Sequence, residues 1–206
     1  MEIELKYSIP DDGIIEKMWR QEVFEKYGTV DRNTTIPMSA TYYDTEEGLL
    51  SSVDAAFRIR KEGRHFIATL KWNDKVQDGL FEREELNINL EEGQCRNPTL
   101  RLFSQSEDIS ALIELVDDRP LLPTIRTDFM RHVMRIDTGT SIFEADLDTG
   151  SITAGTEKLA ICELEIELYS GSRDEMTRVG QDLADLFGLV PGVKSKFQRG
   201  LEAYKK

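Results

Sequence analysis

The chain opens on MEIELKY, in which two carboxylates and an amine, Glu2, Glu4 and Lys6, recur at every second position. Carboxylate oxygens are hard ligands for a divalent cation, and a lysine amine is a point-charge partner for phosphate oxygen. In a β-strand successive side chains point to opposite faces, so these three share one face while Ile3, Leu5 and Tyr7 share the other. The apolar face has to be buried. The charged face has to meet water or counter-charges, because an unpaired charge is very costly to bury. Such a strand suits a wall between packed protein and a wet, charged cavity. An N-terminal edge strand with its charged face in solvent meets the same requirement.

The pattern repeats along the chain. AFRIRK sets Arg58 and Arg60 two apart among Phe57 and Ile59, and IATLKW places Lys71 opposite Leu70 and Trp72. LFEREELNI puts Arg83 and Glu85 on one face, although Glu82 and Glu84 charge the other as well. SIFEADLDTG alternates Glu144, Asp146 and Asp148 with Ala145 and Leu147. ICELEIELYSG alternates Glu163, Glu165 and Glu167 with Cys162, Leu164, Ile166 and Leu168. Full charges of both signs in strand after strand are what a closed barrel with a charged interior requires. Carboxylates alone would repel a polyanion, so acids among the cations imply a metal ion between them and the substrate. Oxygen ligands with no nearby His or Cys favour Mg²⁺ or Mn²⁺ over zinc.

Composition bounds what such a barrel can be. A chain of 206 residues fits one domain with a real core, and 39% hydrophobic with 32% charged residues is a soluble, globular composition. No apolar run approaches the roughly 20 residues of a membrane span, so no membrane partner is expected. Met1-Glu2 begins neither a basic nor an apolar leader, so no secretory signal is expected. Cys95 and Cys162 stand alone, outside any CxxC, which fits a reduced, cytoplasmic setting. A net charge of −13 argues against nucleic acid as a partner. If Arg58, Arg60, Lys71, Arg83 and Lys196 converge, a positive site sits inside a negative protein. Surface charge is screened beyond roughly 8 Å at physiological salt, so such a site holds a small polyanion while the surface repels large ones.

The elements that would position these residues can be read in outline. A strand over about 1–9 is followed by a helical stretch opened by Pro10-Asp11-Asp12, with Ile14, Ile15, Met18, Trp19 and Val23 at helical spacing up to Gly28. Strands are predicted at about 34–45, 55–62, 65–73 and 80–90, and a helix over 98–117 buries Leu100, Phe103, Ile109, Leu112, Ile113 and Val116. Further strands fall at about 122–137, 140–149 and 158–169, and Ser172 caps a helix running to Phe187 and ended by Gly188. Eight strands in all suit a small closed barrel. Ser195 followed three residues on by Gln198 is a capping-box signature, which starts a last helix at Lys196. A lysine is unfavourable at the positive end of a helix, which points to another use for it, whereas Lys205 and Lys206 read as a solvated tail. Tyr42, Tyr43, Trp19 and Trp72 read as packing residues and His65 as an exposed turn residue.

Taken in order, ExExK, FRIR, the strand lysine, RxE, the late ExE and the C-terminal SK resemble the CYTH superfamily, the triphosphate tunnel metalloenzymes. The resemblance runs along essentially the whole chain. YYDT (42–45), RTDFMR (126–131) and ICELEIELYSG look most like the CYTH domain of bacterial inorganic triphosphatases. The resemblance implies a mainly β (α+β) fold, a closed eight-stranded antiparallel barrel forming a charged tunnel, with helices outside and one at the C-terminus. Some members carry a CHAD domain behind the CYTH domain, so the resemblance implies a stand-alone, single-domain version over 1–206.

Carried over, Glu2 and Glu4 match the metal-binding acidic pair, Lys6 the tunnel lysine, and Arg58, Arg60, Lys71, Arg83, Arg131 and Lys196 the positions that hold phosphate. Glu165 and Glu167 match the late acidic pair, with Glu163 an extra carboxylate on that face and Glu85 at an acidic tunnel position. Asp146 and Asp148 match less securely, Asp148 being the one expected at the metal. Arg126 has the wrong parity to share a face with Arg131 unless a bulge intervenes. The implied activity is metal-dependent hydrolysis of inorganic triphosphate to pyrophosphate and phosphate, with Mg²⁺ or Mn²⁺. Glu163, Glu165 or Glu167 is available as a base. Class IV adenylate cyclase, thiamine or nucleoside triphosphate hydrolysis, and a polyphosphate-binding module without turnover are the alternatives. No P-loop, GxGxxG, HExxH or GxSxG occurs in the chain.

Overall fold

The computed structural model describes residues 1–204; Lys205 and Lys206 lie outside the described residues. Strands β1 (Glu2–Ser8), β2 (Thr29–Asp44), β3 (Ala56–Glu62), β4 (His65–Gln77), β5 (Leu80–Leu90), β6 (Leu122–Asp137), β7 (Ile142–Ala154) and β8 (Glu157–Ser170) form an antiparallel sheet in the order β5-β4-β3-β2-β6-β7-β8-β1. Pairing of β1 with β5, Glu2 opposite Arg83 and Glu4 opposite Phe81, closes it into an eight-stranded barrel. A two-residue strand β9 (Val190–Pro191) pairs outside it with the end of β1.

Closure turns the alternation of the sequence into an inside and an outside. The apolar set of β1, β6, β7 and β8 (Leu5, Met134, Leu147 and Leu164 among them) faces outward and packs beneath α4 (Arg173–Phe187). Ser172 and Gly188 cap α4 as the sequence predicts; Gly188 takes φ 66°, a left-handed conformation that glycine adopts without strain. A second outer cluster, including Phe57, Leu70 and Trp72, lies on β3 and β4 under the segment that follows β5. The apolar core therefore wraps the barrel and the charged residues fill it.

The two inter-strand helical segments differ from expectation. Between β1 and β2 the chain makes a 3₁₀ turn (Asp12–Ile14) and two one-turn helices, α1 (Ile15–Met18) and α2 (Gln21–Phe24), broken where Arg20 is extended. The break lets Met18 and Phe24 both be fully buried, with Trp19 edge-on to Phe24 at 5.2 Å. The 98–117 stretch is likewise a pair of 3₁₀ turns leading into α3 (Ser110–Val116), interrupted where Ser106 is extended. Leu100, Phe103, Ile109 and Val116 are all buried as expected, but by successive turns rather than along one helix. Strands β2, β4 and β7 run further than the sequence pattern marks, to Thr29, Gln77 and Ala154, because β2–β6 and β6–β7 pair along almost their whole lengths and β4 pairs with β5 out to Gln77. Among the described residues no helix is long and apolar enough to cross a membrane.

The final helix, α5 (Lys196–Tyr204), packs across one end of the barrel. There the inward positions become apolar: Ile125, Ile152, Ala154 and Ile161 meet Phe197, Leu201 and Ala203 of α5. The helix approaches closely at Gly200, where a Cβ would lie 2.7 Å from Ile125 Cγ2.

Candidate functional site

The barrel interior holds a cavity of about 340 Å³ whose lining includes Glu2, Glu4, Lys6, Arg58, Arg60, Lys71, Arg83, Arg131, Glu165, Glu167 and Lys196. Each arrives by parity. Cross-strand register sets Lys6 opposite Glu165, Glu4 opposite Glu167, Lys71 opposite Glu85 and Arg131 opposite Asp148. Lys196 reaches the interior differently. Gln198 N–H donates to Ser195 Oγ at 3.2 Å and Ser195 N–H to Gln198 Oε1 at 2.8 Å, and this reciprocal cap starts α5 with Lys196 turned inward, 5% exposed.

Below that cap lies the first of three charge groupings. Lys196 Nζ sits 2.7 Å from Asp148 and 3.0 Å from Glu165 and also pairs with Glu163, while Lys6 Nζ pairs with Glu165 and lies 3.8 Å from Glu163. Arg131 contacts Asp146, Asp148 and Glu165, each at 2.6 Å. Burial disfavours both ammonium groups, but the surrounding carboxylates outweigh it and raise Lys6 and Lys196 above the usual lysine range. Glu165 goes the other way: burial would raise it, and Lys196, Lys6 and Arg131 hold it well below the usual carboxylate range. Oxygens of Asp148, Glu163 and Glu165 come within 4.8 Å of one another, a metal-like cluster, yet two lysine ammonium groups already reach into it.

The second grouping lies on β1, β4, β5 and the far part of β8. Glu2 accepts from Lys71 at 2.8 Å and from Arg83 at 2.5 Å; Glu85 takes Lys71 at 2.6 Å, and Glu4 pairs with Arg83. Glu167 stands among these acids with no ion-pair partner of its own among the described residues. Burial, then Glu2, with Glu4 and Glu85 adding to it against the pull of Lys71, pushes its carboxyl up to about 8. Burial also pushes Asp146 up to about 7, Arg131 only partly offsetting it.

The third grouping is an excess of positive charge on β3. Arg58 Nη1 donates to the Tyr42 hydroxyl at 3.2 Å, and Arg60 Nη2 lies 3.6 Å from Glu62. Both Nε atoms are buried without a hydrogen-bond partner. Burial, with the adjacent Arg58 charge, lowers Arg60 below the usual arginine range. The cavity thus leaves buried, unpartnered Nε donors of Arg58 and Arg60 on β3 and, among the described residues, a Glu167 carboxyl without an ion-pair partner on β8.

A family model for the CYTH domain matches residues 1–201. The chain belongs to the CYTH family. It is 32% identical over 191 residues to the inorganic triphosphatase of Haemophilus influenzae, covering 92% of this chain and 49% of that protein, so it spans about half the length of this curated relative. Among solved structures, a Hippeastrum protein provisionally assigned as an adenylyl cyclase, and described as having a dominant triphosphatase activity, superposes with TM-score 0.69 at 21% identity, covering 98% of this chain and 96% of its own. A Bacillus halodurans protein provisionally assigned as an adenylate cyclase superposes with TM-score 0.57 at 21% identity, over 97% and 96% of the two chains. At such identities these two establish the fold alone.

Within this CYTH domain one ambiguous residue is settled and several interior residues are added. Arg126 is 61% exposed on the outer face, paired with Asp128 at 2.7 Å, so no bulge brings it inside. His65 is exposed, and His132 bonds Thr35 on the outside. Tyr43 packs against Phe57 outside as expected, but Tyr42 lines the cavity. Asp74 lines it too, 3.8 Å from Arg83 Nη1, because a register shift between Trp72 and Lys75, with Asn73 at φ 57°, turns it inward. Strict alternation cannot reveal a residue beyond a bulge. Arg199, three residues after Lys196, pairs with Glu163 at 2.9 Å; the helical i, i+3 spacing was the available signal.

Proposed function

We propose that this chain hydrolyses inorganic triphosphate to pyrophosphate and phosphate inside the barrel, with a divalent cation, Mg²⁺ or Mn²⁺, as a cytoplasmic enzyme. The observation that carries the reading is the split interior: Arg58 and Arg60 keep buried Nε donors without a partner on one wall, and among the described residues Glu167 has no ion-pair cation on the other. A substrate of linked phosphates together with a metal ion satisfies both walls at once. The activity named for the Haemophilus relative points the same way.

The donor set fits such an ion. Glu2, Glu4 and Glu167 offer oxygen only, the two histidines stand outside the site, and burial together with neighbouring acids pushes the Glu167 carboxyl up to about 8, a strain a cation would relieve. Glu165, Glu163 and Asp148 belong to the reading as further acids that answer Lys6, Lys196 and Arg199, with reach toward the metal. When bound, the ion supplies charge neutralisation and eases deprotonation of water. The chain's own residues do the rest. Arg58 and Arg60 hold non-bridging oxygens, aligning the chain of phosphates, since phosphoryl transfer depends on positioning and electrostatics rather than covalent chemistry from the protein. Lys6, Lys71, Arg83, Arg131 and Lys196 hold the remaining charge as it shifts to the leaving group. Glu167, alone of the three late glutamates in lacking a cation partner among the described residues, is placed to take a proton from the attacking water.

The test is phosphate release from tripolyphosphate, ATP and thiamine triphosphate in parallel, with Mg²⁺, Mn²⁺ or EDTA. Tripolyphosphate is expected to give the highest kcat/KM. Cyclic AMP as product, or ATP as the better substrate, moves the reading to the nucleotide chemistry named for the Hippeastrum and Bacillus proteins.

A further inference from the structure

The triphosphate reading leaves one buried hydroxyl unused. Tyr42 is 5% exposed, yet it lines the cavity from β2, directly opposite Arg58 in the β2–β3 register. Its oxygen accepts from Arg58 Nη1 at 3.2 Å. A guanidinium has no acceptor to give in return, so the phenolic O–H needs a different partner. None lies within hydrogen-bond distance of it among the described residues. Buried tyrosine hydroxyls ordinarily find an acceptor.

The ring around that hydroxyl is fixed. Phe197 of α5 stacks on it with centroids 5.2 Å apart and planes at 28°, and the Arg58 guanidinium lies 5.9 Å from its centroid. The phenolic oxygen is therefore fixed in place on the same guanidinium whose Nε has no partner. The electrostatic setting acts in the same sense. Burial alone would raise the phenol's pKa, but the charge and hydrogen bond of Arg58, with Lys196 and Lys71, lower it. A more acidic phenol is a stronger hydrogen-bond donor.

We propose that Tyr42 is a substrate-binding residue of the barrel, donating its phenolic hydrogen to the phosphate oxygen that Arg58 holds. This rests on the triphosphate reading above and adds a neutral donor to a site otherwise built of charges. It also gives α5 a second role, since the helix that presents Lys196 supplies the Phe197 face that orients Tyr42. A packing role in the apolar layer with Ile125 needs the ring alone, whereas the proposed role needs the hydroxyl.

Tyr42→Phe separates the two, because it keeps the ring and its stack and removes only the O–H. The readouts are tripolyphosphate affinity in EDTA, where no turnover is required, and kcat/KM with Mg²⁺, with melting temperature as the fold control. A hydrogen bond to a charged acceptor is worth about 1.5–3 kcal/mol, so affinity and kcat/KM should each fall about tenfold or more at unchanged melting temperature. Phe197→Leu, which unstacks the ring and leaves the hydroxyl, should weaken binding less than Tyr42→Phe. Parent-like affinity in Tyr42→Phe overturns the proposal. A parent protein that binds tripolyphosphate and never hydrolyses it sinks the hydrolase reading while the affinity ratio still reports on Tyr42. A parent that binds it neither in EDTA nor with Mg²⁺ sinks both.

Discussion

Lys196 is held by Asp148, Glu163 and Glu165 at the point where α5 meets the barrel. Lys196→Ala should lower kcat/KM for tripolyphosphate by about one to two orders of magnitude, the worth of a charge-assisted phosphate contact. It leaves Glu163 with Arg199 and Asp148 with Arg131, so the accompanying loss of stability should stay at about 1–3 kcal/mol. Lys194→Ala, at an exposed lysine paired with Glu202, is the control and should alter neither. Equal activity in both variants would remove Lys196 from the site. Glu167 gives a pH prediction. Its folded pKa is raised from 4.5 to about 8, so across that window the folded chain binds more protons than the unfolded one and stability falls as pH rises. The metal-free protein should therefore melt lower at about pH 8 than at about pH 5, and Mg²⁺ should raise the melting temperature more at the higher pH. Glu167→Gln should flatten both trends; an unchanged pH dependence in that variant would show that Glu167 is not the group responsible. Most of these residues were legible as single letters at a spacing of two, because a strand's parity survives folding. Their partners were not: that Lys6 and Lys196 meet over Glu165 depends on a register and a helix position that no single strand encodes.

The elements show where pattern reading succeeds and where it stops. β1, β3, β5, β6 and β8 were readable to within a residue or two, in β1, β3 and β8 because charge and apolar side chains alternate cleanly through them. The ends of β2 and β4 were not, since Thr29–Asn33 and Asn73–Gln77 carry little apolar signal and owe their extended form to pairing with neighbours. The segments around Trp19 and Leu102 carry helical spacing, but tertiary packing bends them into single turns; burial of each apolar residue outweighs continuity of short helices that are marginal by themselves. Helix α5 is the element with the clearest consequence. Gly200 allows it to sit against Ile125 and Ile152, and a methyl there would meet Ile125 Cγ2 at 2.7 Å and Ile152 Cγ2 at 3.1 Å. Gly200→Ala improves helix propensity yet should destabilise the protein, by about 1–3 kcal/mol from overpacking, and should reduce activity by shifting Lys196 and Phe197. A rise in melting temperature with parent-like kcat/KM would mean that α5 is not seated tightly enough to position them.

At the scale of the whole molecule, a protein of net charge −13 encloses an interior of paired cations and acids, in which Arg58 and Arg60 keep unpartnered Nε donors on β3 and Glu167 on β8 stands without an ion-pair partner among the described residues. Most of the apolar core lies outside the barrel, which frees the inside for charged residues except at the end closed by α5. The convergence of the basic residues was legible once they were assigned to inward positions, but as many acids line the same cavity, so the expected positive site does not arise; which acid meets which cation was not legible, because it is fixed only when the sheet closes on itself. The proposed hydrolysis of triphosphate inside the barrel is open to direct observation by ³¹P NMR of tripolyphosphate incubated with the protein and Mg²⁺. The tripolyphosphate signals should disappear, with pyrophosphate and phosphate appearing in equal amounts, and should persist when EDTA replaces the metal. Intact tripolyphosphate in the presence of both protein and either Mg²⁺ or Mn²⁺, or undiminished turnover in EDTA, would contradict a metal-dependent triphosphatase.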